Sequence, residues 1–199
     1  MLHPDTYDVC SGLDNFVIIG VNYHNADTST RSSFAVSDAA YGRIAEQAIQ
    51  KGITDVFVLS TCNRTEVYGI AGAGLLKEML CEATGNTLVE FKRHGYVHHG
   101  MNAVMHLFKV AAGLDSQILG DYEILMQLKK ATKYAREIGL LGTLADRLIN
   151  FAFQASKKIK SETRLSTGTV SVAYAAIEVM REKVKKKEQK NILLVGAGK

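Results

Sequence analysis

Val56-Phe57-Val58-Leu59-Ser60-Thr61-Cys62-Asn63-Arg64-Thr65-Glu66-Val67-Tyr68-Gly69-Ile70 reads as two apolar, strand-like runs joined by a short polar interval. Such a pattern predicts a hairpin or bulged loop, with the interval held on a rigid frame. The interval carries one cysteine. Arg64, two residues on, favours a reactive thiolate at Cys62 if its guanidinium points back toward the sulfur. The plainer alternative makes Cys62 one more small buried residue and Arg64 a solvated surface charge.

Outward from the hairpin, strand-like and helix-like stretches alternate. Phe16 to Val21 reads as a strand, Ser37 to Lys51 as a helix capped by Ser37 or Asp38, and Asp55 to Ser60 as a second strand. Glu66 to Ala71 makes a third strand, Leu75 to Ala83 a second helix and Tyr96 to His98 a short final strand. This βαββαβ order is the ferredoxin-like arrangement, an antiparallel sheet with two helices on one face. After Gly100 the apolar residues recur at helical spacing, as in Met101, Val104, Met105, Phe108 and Ala112, then Leu125, Leu128, Ala131, Ala135 and Ile138, then Leu144, Leu148, Phe151 and Ala155. Gly139 and Gly142 mark one break between helices, and Leu165 to Thr169 another before the Val170 to Lys187 segment. The fold class expected is therefore α+β, with residues 1–100 forming the ferredoxin-like part, 101–165 a helical extension and 166–199 a linker helix with a final strand.

With 199 residues, 47% of them hydrophobic, the chain can build one sizeable core but not a complete second domain. Cys10, Cys62 and Cys81 show neither a disulfide framework nor CxxC spacing, so a reducing setting is expected. No basic-then-apolar leader precedes Gly12 and no run is long enough to cross a membrane, which makes the cytoplasm the default.

The formal charge of +4 is modest but unevenly placed. Lys157, Lys158, Lys160 and Arg164, then Lys183, Lys185, Lys186, Lys187 and Lys190, form basic clusters that fit either RNA phosphates or solvated helix faces. No basic stretch is interleaved with aromatics, so charge alone does not point to RNA. His94, His98 and His99 lie near Cys81 in sequence without zinc spacing, and His98 and His99 face opposite ways on a strand, so no metal site is expected.

Leu59 to Tyr68 closely resembles the active-site segment of the glutamyl-tRNA reductase family. Three further segments fall in that family's order: Gly20-Val21-Asn22-Tyr23-His24 with Arg31, His106 through Gly120, and Val170-Ser171-Val172-Ala173-Tyr174. The resemblance runs from about Phe16 to the last residue and implies a ferredoxin-like catalytic domain. It implies that Cys62 attacks the ester of glutamyl-tRNA to give a thioester, which NADPH then reduces to glutamate-1-semialdehyde for tetrapyrrole synthesis. By the same resemblance His106 is an active-site histidine that protonates the departing ribose oxygen or orients the ester. Arg64 binds the side-chain carboxylate of glutamate, and Thr61 and Ser116 line the glutamate pocket.

At the end of the chain, Asn191-Ile192-Leu193-Leu194-Val195-Gly196-Ala197-Gly198-Lys199 is an apolar run breaking into Gly-x-Gly. The resemblance makes it the first strand of a Rossmann-type NADPH domain, with Gly196 and Gly198 opening an incomplete phosphate loop. The chain is accordingly expected to be a fragment cut at that boundary, monomeric by itself and part of a homodimer at full length. A glutamate-semialdehyde aminomutase is the partner implied for the aldehyde product. Local departures fall at Asp121 and Glu123, where many relatives carry Glu and Gln, and at Ser32 and Ser33 after Arg31. Glu123 would repel a substrate carboxylate that it approached. A second reading, a non-catalytic RNA- or protein-binding module on the same frame, differs in not depending on Cys62.

Overall fold

Phe16 to Asn22 is buried along its whole length and forms strand β1 (Phe16–Asn22), which pairs antiparallel with two neighbours. The structure, a computed structural model, describes residues 12–163, 165, 172–183 and 193. After β1 come α1 (Thr28–Ser33), α2 (Asp38–Gln50), β2 (Val56–Ser60), β3 (Arg64–Ile70), α3 (Ala73–Thr84), α4 (Leu88–His94) and β4 (Gly95–His99). Helices α5 (Gly100–Ala112), α6 (Glu123–Glu137), α7 (Thr143–Glu162) and α8 (Val172–Lys183) follow. Among the described residues the sheet has four strands in the order β2-β3-β1-β4, every neighbouring pair antiparallel.

Strand alternation sends odd and even residues of β1 to opposite faces, and each face meets helices. On one, Val17, Ile19 and Val21 join Val56, Val58 and Val67 beneath Ile44 and Ala48 of α2 and Leu76, Met79 and Leu80 of α3. On the other, Phe16, Ile18, Phe57, Leu59 and Tyr68 pack against Leu107 and Val110 of α5, Ile124 and Leu128 of α6, and Ile149 and Ala152 of α7. The expectation put helices on one face only, but the helical extension covers the second. This double covering is why β1 reads as a nearly unbroken apolar run. Full burial of Ile18 and Ile19, one on each face, contributes roughly 1.5–3 kcal/mol apiece.

Local signals account for the element ends. Ser37 caps α2, its hydroxyl accepting from the Ala40 N–H at 3.2 Å. Two short helices were not expected. In α1 no residue is buried, so it has no apolar period to read, and Asp27 holds its start by accepting from Thr30 N–H at 2.7 Å. Helix α4 is announced by the Thr87/Glu90 capping box, whose two side chains answer each other's backbone N–H groups. The expected terminal strand, Gly196 and Gly198 lie outside the described residues, Leu193 excepted.

Gly20 sits where β1 faces β3 and β4, paired with Glu66 and Tyr96. A Cβ there would come within 2.8 Å of Glu66 Cγ and 2.9 Å of both Thr65 O and Tyr96 Oη. Backbone is among those atoms, so the neighbours cannot simply rotate away. Gly20→Ala is expected to destabilise the domain by about 1–3 kcal/mol through overpacking, measured as a lower urea midpoint; an unchanged midpoint would show that the space is not tight.

Candidate active site

The turn after β2 is tighter than the sequence suggested. Thr61 N–H donates to Arg64 O at 2.8 Å, and the Thr61 hydroxyl accepts from the N–H groups of Asn63 and Arg64, each at 3.2 Å. These bonds close the chain over Thr61, Cys62 and Asn63 and start β3 at Arg64, two residues earlier than expected. Cys62 is exposed at the tip. Neighbouring segments fasten the turn from outside: Arg31 Nε donates to Cys62 O at 3.2 Å, and Tyr23 N–H donates to Asn63 O at 3.0 Å.

Because Arg64 belongs to the strand, its side chain shares a face with Glu66 and Tyr68. That face is the one covered by α5, and Arg64 is only 2% exposed. The guanidinium does not turn back to the sulfur as the sequence reading required. Its Nη1 donates to Glu66 Oε1 at 3.0 Å and to Asp115 Oδ2 at 2.9 Å, and its Nη2 donates to the Asp115 carbonyl. The physical reason is burial: a guanidinium withdrawn from water needs acceptors on several of its five donors, and two carboxylates supply them. Burial disfavours the charged guanidinium, but Glu66, with Tyr68, Tyr96 and Asp115, outweighs it and holds the proton more firmly than usual.

Glu66 is the centre of this network and fully buried. Beyond Arg64 it accepts from the hydroxyls of Tyr68 and Tyr96 and faces His106 Nε2 at 2.7 Å. Burial pushes its carboxyl toward the neutral form, yet Arg64 and then His106 overcome that and hold it well below the usual carboxylate range. His106 reaches Glu66 from α5 and is 8% exposed. Its ring lies 4.6 Å from that of His98 and 5.6 Å from that of Tyr96, centroid to centroid.

Asp115 comes from the loop between α5 and α6. Gly113 ends α5 with φ +74, and its carbonyl accepts from Gly120 N–H at 2.9 Å, folding the loop back on itself. A Cβ on Gly113 would meet the Asp121 backbone at 2.9 Å, so the close return needs glycine twice over. On its other side Asp115 Oδ1 stands 3.6 Å from His24 Nε2. Ser116 follows, half-buried, and Glu123 is exposed at the start of α6.

The structure thus brings Thr61, Cys62 and Arg64 together on one turn and strand, with His106 on the same buried network. Sequence reading gave no role to Glu66, Tyr96 or Asp115. A signal for Glu66 existed, since an Arg and a Glu two apart in a strand must share a face. Asp115 left none of that kind, being 51 residues from the Arg64 it holds.

His98 gives the site a pH-sensitive edge. Burial, reinforced by His106, pushes its imidazole below the ordinary histidine range. The unfolded chain therefore takes up this proton first, near pH 6.5. Stability is complete above that pH and is lost as the pH falls toward the folded value. Urea midpoints are expected to drop between about pH 7.5 and 5.5, with the drop smaller in His98→Asn; an equal drop in both would place the acid sensitivity elsewhere.

Fold and site together define an α+β domain that presents an exposed thiol on a tight turn, with a largely buried Arg-Glu-Asp-His network starting on the strand that follows. Residues 19–163 match the family described as glutamyl-tRNAGlu reductase, N-terminal domain, and the chain belongs to that family. It is 43% identical, over 98% of its length, to the glutamyl-tRNA reductase of Christiangramia forsetii, of which it covers 47%. It is 37% identical, over 92% of its length, to that of Geobacillus kaustophilus, of which it covers 42%. The solved glutamyl-tRNA reductase from Methanopyrus kandleri matches it with a TM-score of 0.67 at 30% identity, covering 85% of this chain and 40% of that one. The chain spans rather less than half the length of these relatives. No described helix is long and apolar enough to cross a membrane.

Proposed function

We propose that the chain is the acyl-capturing part of a glutamyl-tRNA reductase, built on a ferredoxin-like frame at residues 1–100 with a helical part at 101–165. The observation that supports this most is the exposed Cys62 held on a rigid turn in a chain of this family. The Cys62 thiolate attacks the carbonyl carbon of the ester joining glutamate to the tRNA 3′ ribose. A carbon–sulfur bond forms, the carbon–oxygen bond to ribose breaks, and the departing oxygen takes a proton. His106 is the residue assigned to that proton: Nε2 is committed to Glu66, which leaves Nδ1 to hand it on.

Arg64 is assigned to the substrate side-chain carboxylate, with Thr61 and Ser116 lining the same pocket. The Asp115 carboxylate now shares Arg64 Nη1 with Glu66, so the substrate takes its place by exchanging one carboxylate for another. Thr61 is bound to the turn through its hydroxyl and acts mainly by shaping it. In the whole protein NADPH, when bound, would supply the hydride that takes the captured glutamyl group to glutamate-1-semialdehyde. Gly196 and Gly198 are its proposed contacts in a Rossmann-type domain, and the described residues perform capture alone. A cytoplasmic setting, a monomeric state for this chain, a homodimer at full length and delivery of the aldehyde to an aminomutase complete the proposal.

The test is release of free tRNA from glutamyl-tRNA against glutaminyl-tRNA. Loss of a charged pairing at Arg64 is expected to slow the glutaminyl substrate by tenfold or more. Asp115→Asn removes the competing carboxylate and is expected to lower KM. Equal rates on the two substrates, or a raised KM in Asp115→Asn, would remove Arg64 from substrate binding.

A further inference from the structure

Away from Cys62, α6 and α7 face one another across an open groove of about 490 Å³. Tyr122, Leu125 and Lys129 line one side at helical spacing, and Phe153, Lys157 and Lys160 line the other. The Lys160 ammonium lies 4.0 Å from the centre of the Tyr122 ring, and that of Lys129 lies 5.6 Å from the Phe153 ring. No stretch of the sequence alternates basic and aromatic residues, but packing two helices side by side creates that alternation in space.

The lining of the groove carries three lysines and no carboxylate, with Asp121 close enough to act on Lys160. Lys129 and Lys157 are exposed. Lys160 is half-buried and donates to the Asp121 carbonyl at 3.4 Å. Burial lowers its hold on its proton, Asp121 acts against this, and Lys129 adds to it. Like charges held this close to low-dielectric walls attract an anion. Tyr122 remains 46% exposed, a flat surface beside those charges.

We infer that this groove binds a single-stranded end of RNA, with phosphates on Lys129, Lys157 and Lys160 and a base stacked on Tyr122. This surface rests on the proposal that the substrate is an acyl-RNA. Exposed aromatic area among cations suits a polynucleotide, which offers bases as well as phosphates; an acidic peptide uses only the charge. Position agrees with this. Tyr122 follows Asp115 by seven residues, so the groove begins within about 25 Å of the Arg64 network even if the loop were fully extended. A strand of a few nucleotides leaving the groove has the length to span that distance.

The test uses the 199-residue chain and a fluorescein-labelled, mixed-sequence single-stranded RNA, with anisotropy followed as NaCl is raised. Lys129→Ala/Lys157→Ala is expected to weaken binding by tenfold or more and to reduce the slope of log affinity against log salt by about 1.4, at about 0.7 per lost phosphate contact. Tyr122→Ala is expected to weaken binding roughly fivefold with the slope unchanged. Circular dichroism melts check that each variant is folded. Wild-type affinity and slope in the lysine variant would overturn the inference, as would displacement by polyglutamate without any binding of RNA. Capture of glutamate from a small glutamyl α-ester separates this from the enzymatic reading. Groove variants are expected to react with that ester at the wild-type rate. A wild-type chain that binds RNA through these lysines yet is acylated neither by the ester nor by glutamyl-tRNA would overturn the proposed function and leave the groove standing.

Discussion

Glu66→Ala is expected to cost the fold about 3–5 kcal/mol, the largest stability effect of any single change in the site. The substitution leaves a buried guanidinium with Asp115 as its remaining carboxylate. It also takes the acceptor from two tyrosine hydroxyls and from His106. Each of those buried donors then loses a partner at about 1–3 kcal/mol, though the losses do not simply add. Glu66→Gln keeps the shape and removes the charge, so it should fall between. The same network sets an acid limit. Since the folded Glu66 carboxyl sits far below its ordinary value, its contribution is complete above the unfolded value near pH 4.3 and is lost as the pH falls toward the folded one. Chemical denaturation of wild type and both variants, repeated from neutral to acid pH, checks this. A loss under about 1 kcal/mol in Glu66→Ala would mean that the network contributes little to stability.

Cys62→Ser is expected to slow glutamyl transfer a thousandfold or more, the usual scale for removing a nucleophile. A hydroxyl is far less ionised than a thiol at neutral pH, and no base stands in hydrogen-bond contact with this position among the bonds that hold the turn. Stability should scarcely move, within about 0.5 kcal/mol, because Cys62 is exposed and its backbone bonds survive the change. The pair of variants therefore separates two functions of one hairpin. On the proposed function, Glu66 on the strand holds the fold and Cys62 on the turn bears the chemistry. A Cys62→Ser chain that is inactive because it is unfolded would break that separation.

Much of this hairpin was legible in the sequence. Two apolar runs around a polar interval gave the strands, and the interval placed Cys62 at a turn. The turn's exact length was not legible, because it depends on the Thr61 hydroxyl accepting from two backbone N–H groups. That detail moved Arg64 from an exposed loop to a buried strand position and turned its guanidinium inward. Asp115 was hidden for a different reason: only the return of the loop at Gly113 and Gly120 brings it to Arg64. Periodicity announced the helices but not their buried faces: Met101, Met105 and Phe151 of the expected stripes are exposed, whereas Ala103, Leu107 and Val110 of α5 and Ile149 and Ala152 of α7 are buried. The second sheet face supplied the surface they cover.

Intact-mass spectrometry of the chain after an acid quench from glutamyl-tRNA, with peptide mapping of any adduct, tests the central proposal most directly. One glutamyl group on the peptide that carries Cys62, absent from Cys62→Ser, is the predicted result. A folded wild-type chain that binds glutamyl-tRNA without forming an adduct, or an adduct that persists in Cys62→Ser, would contradict it.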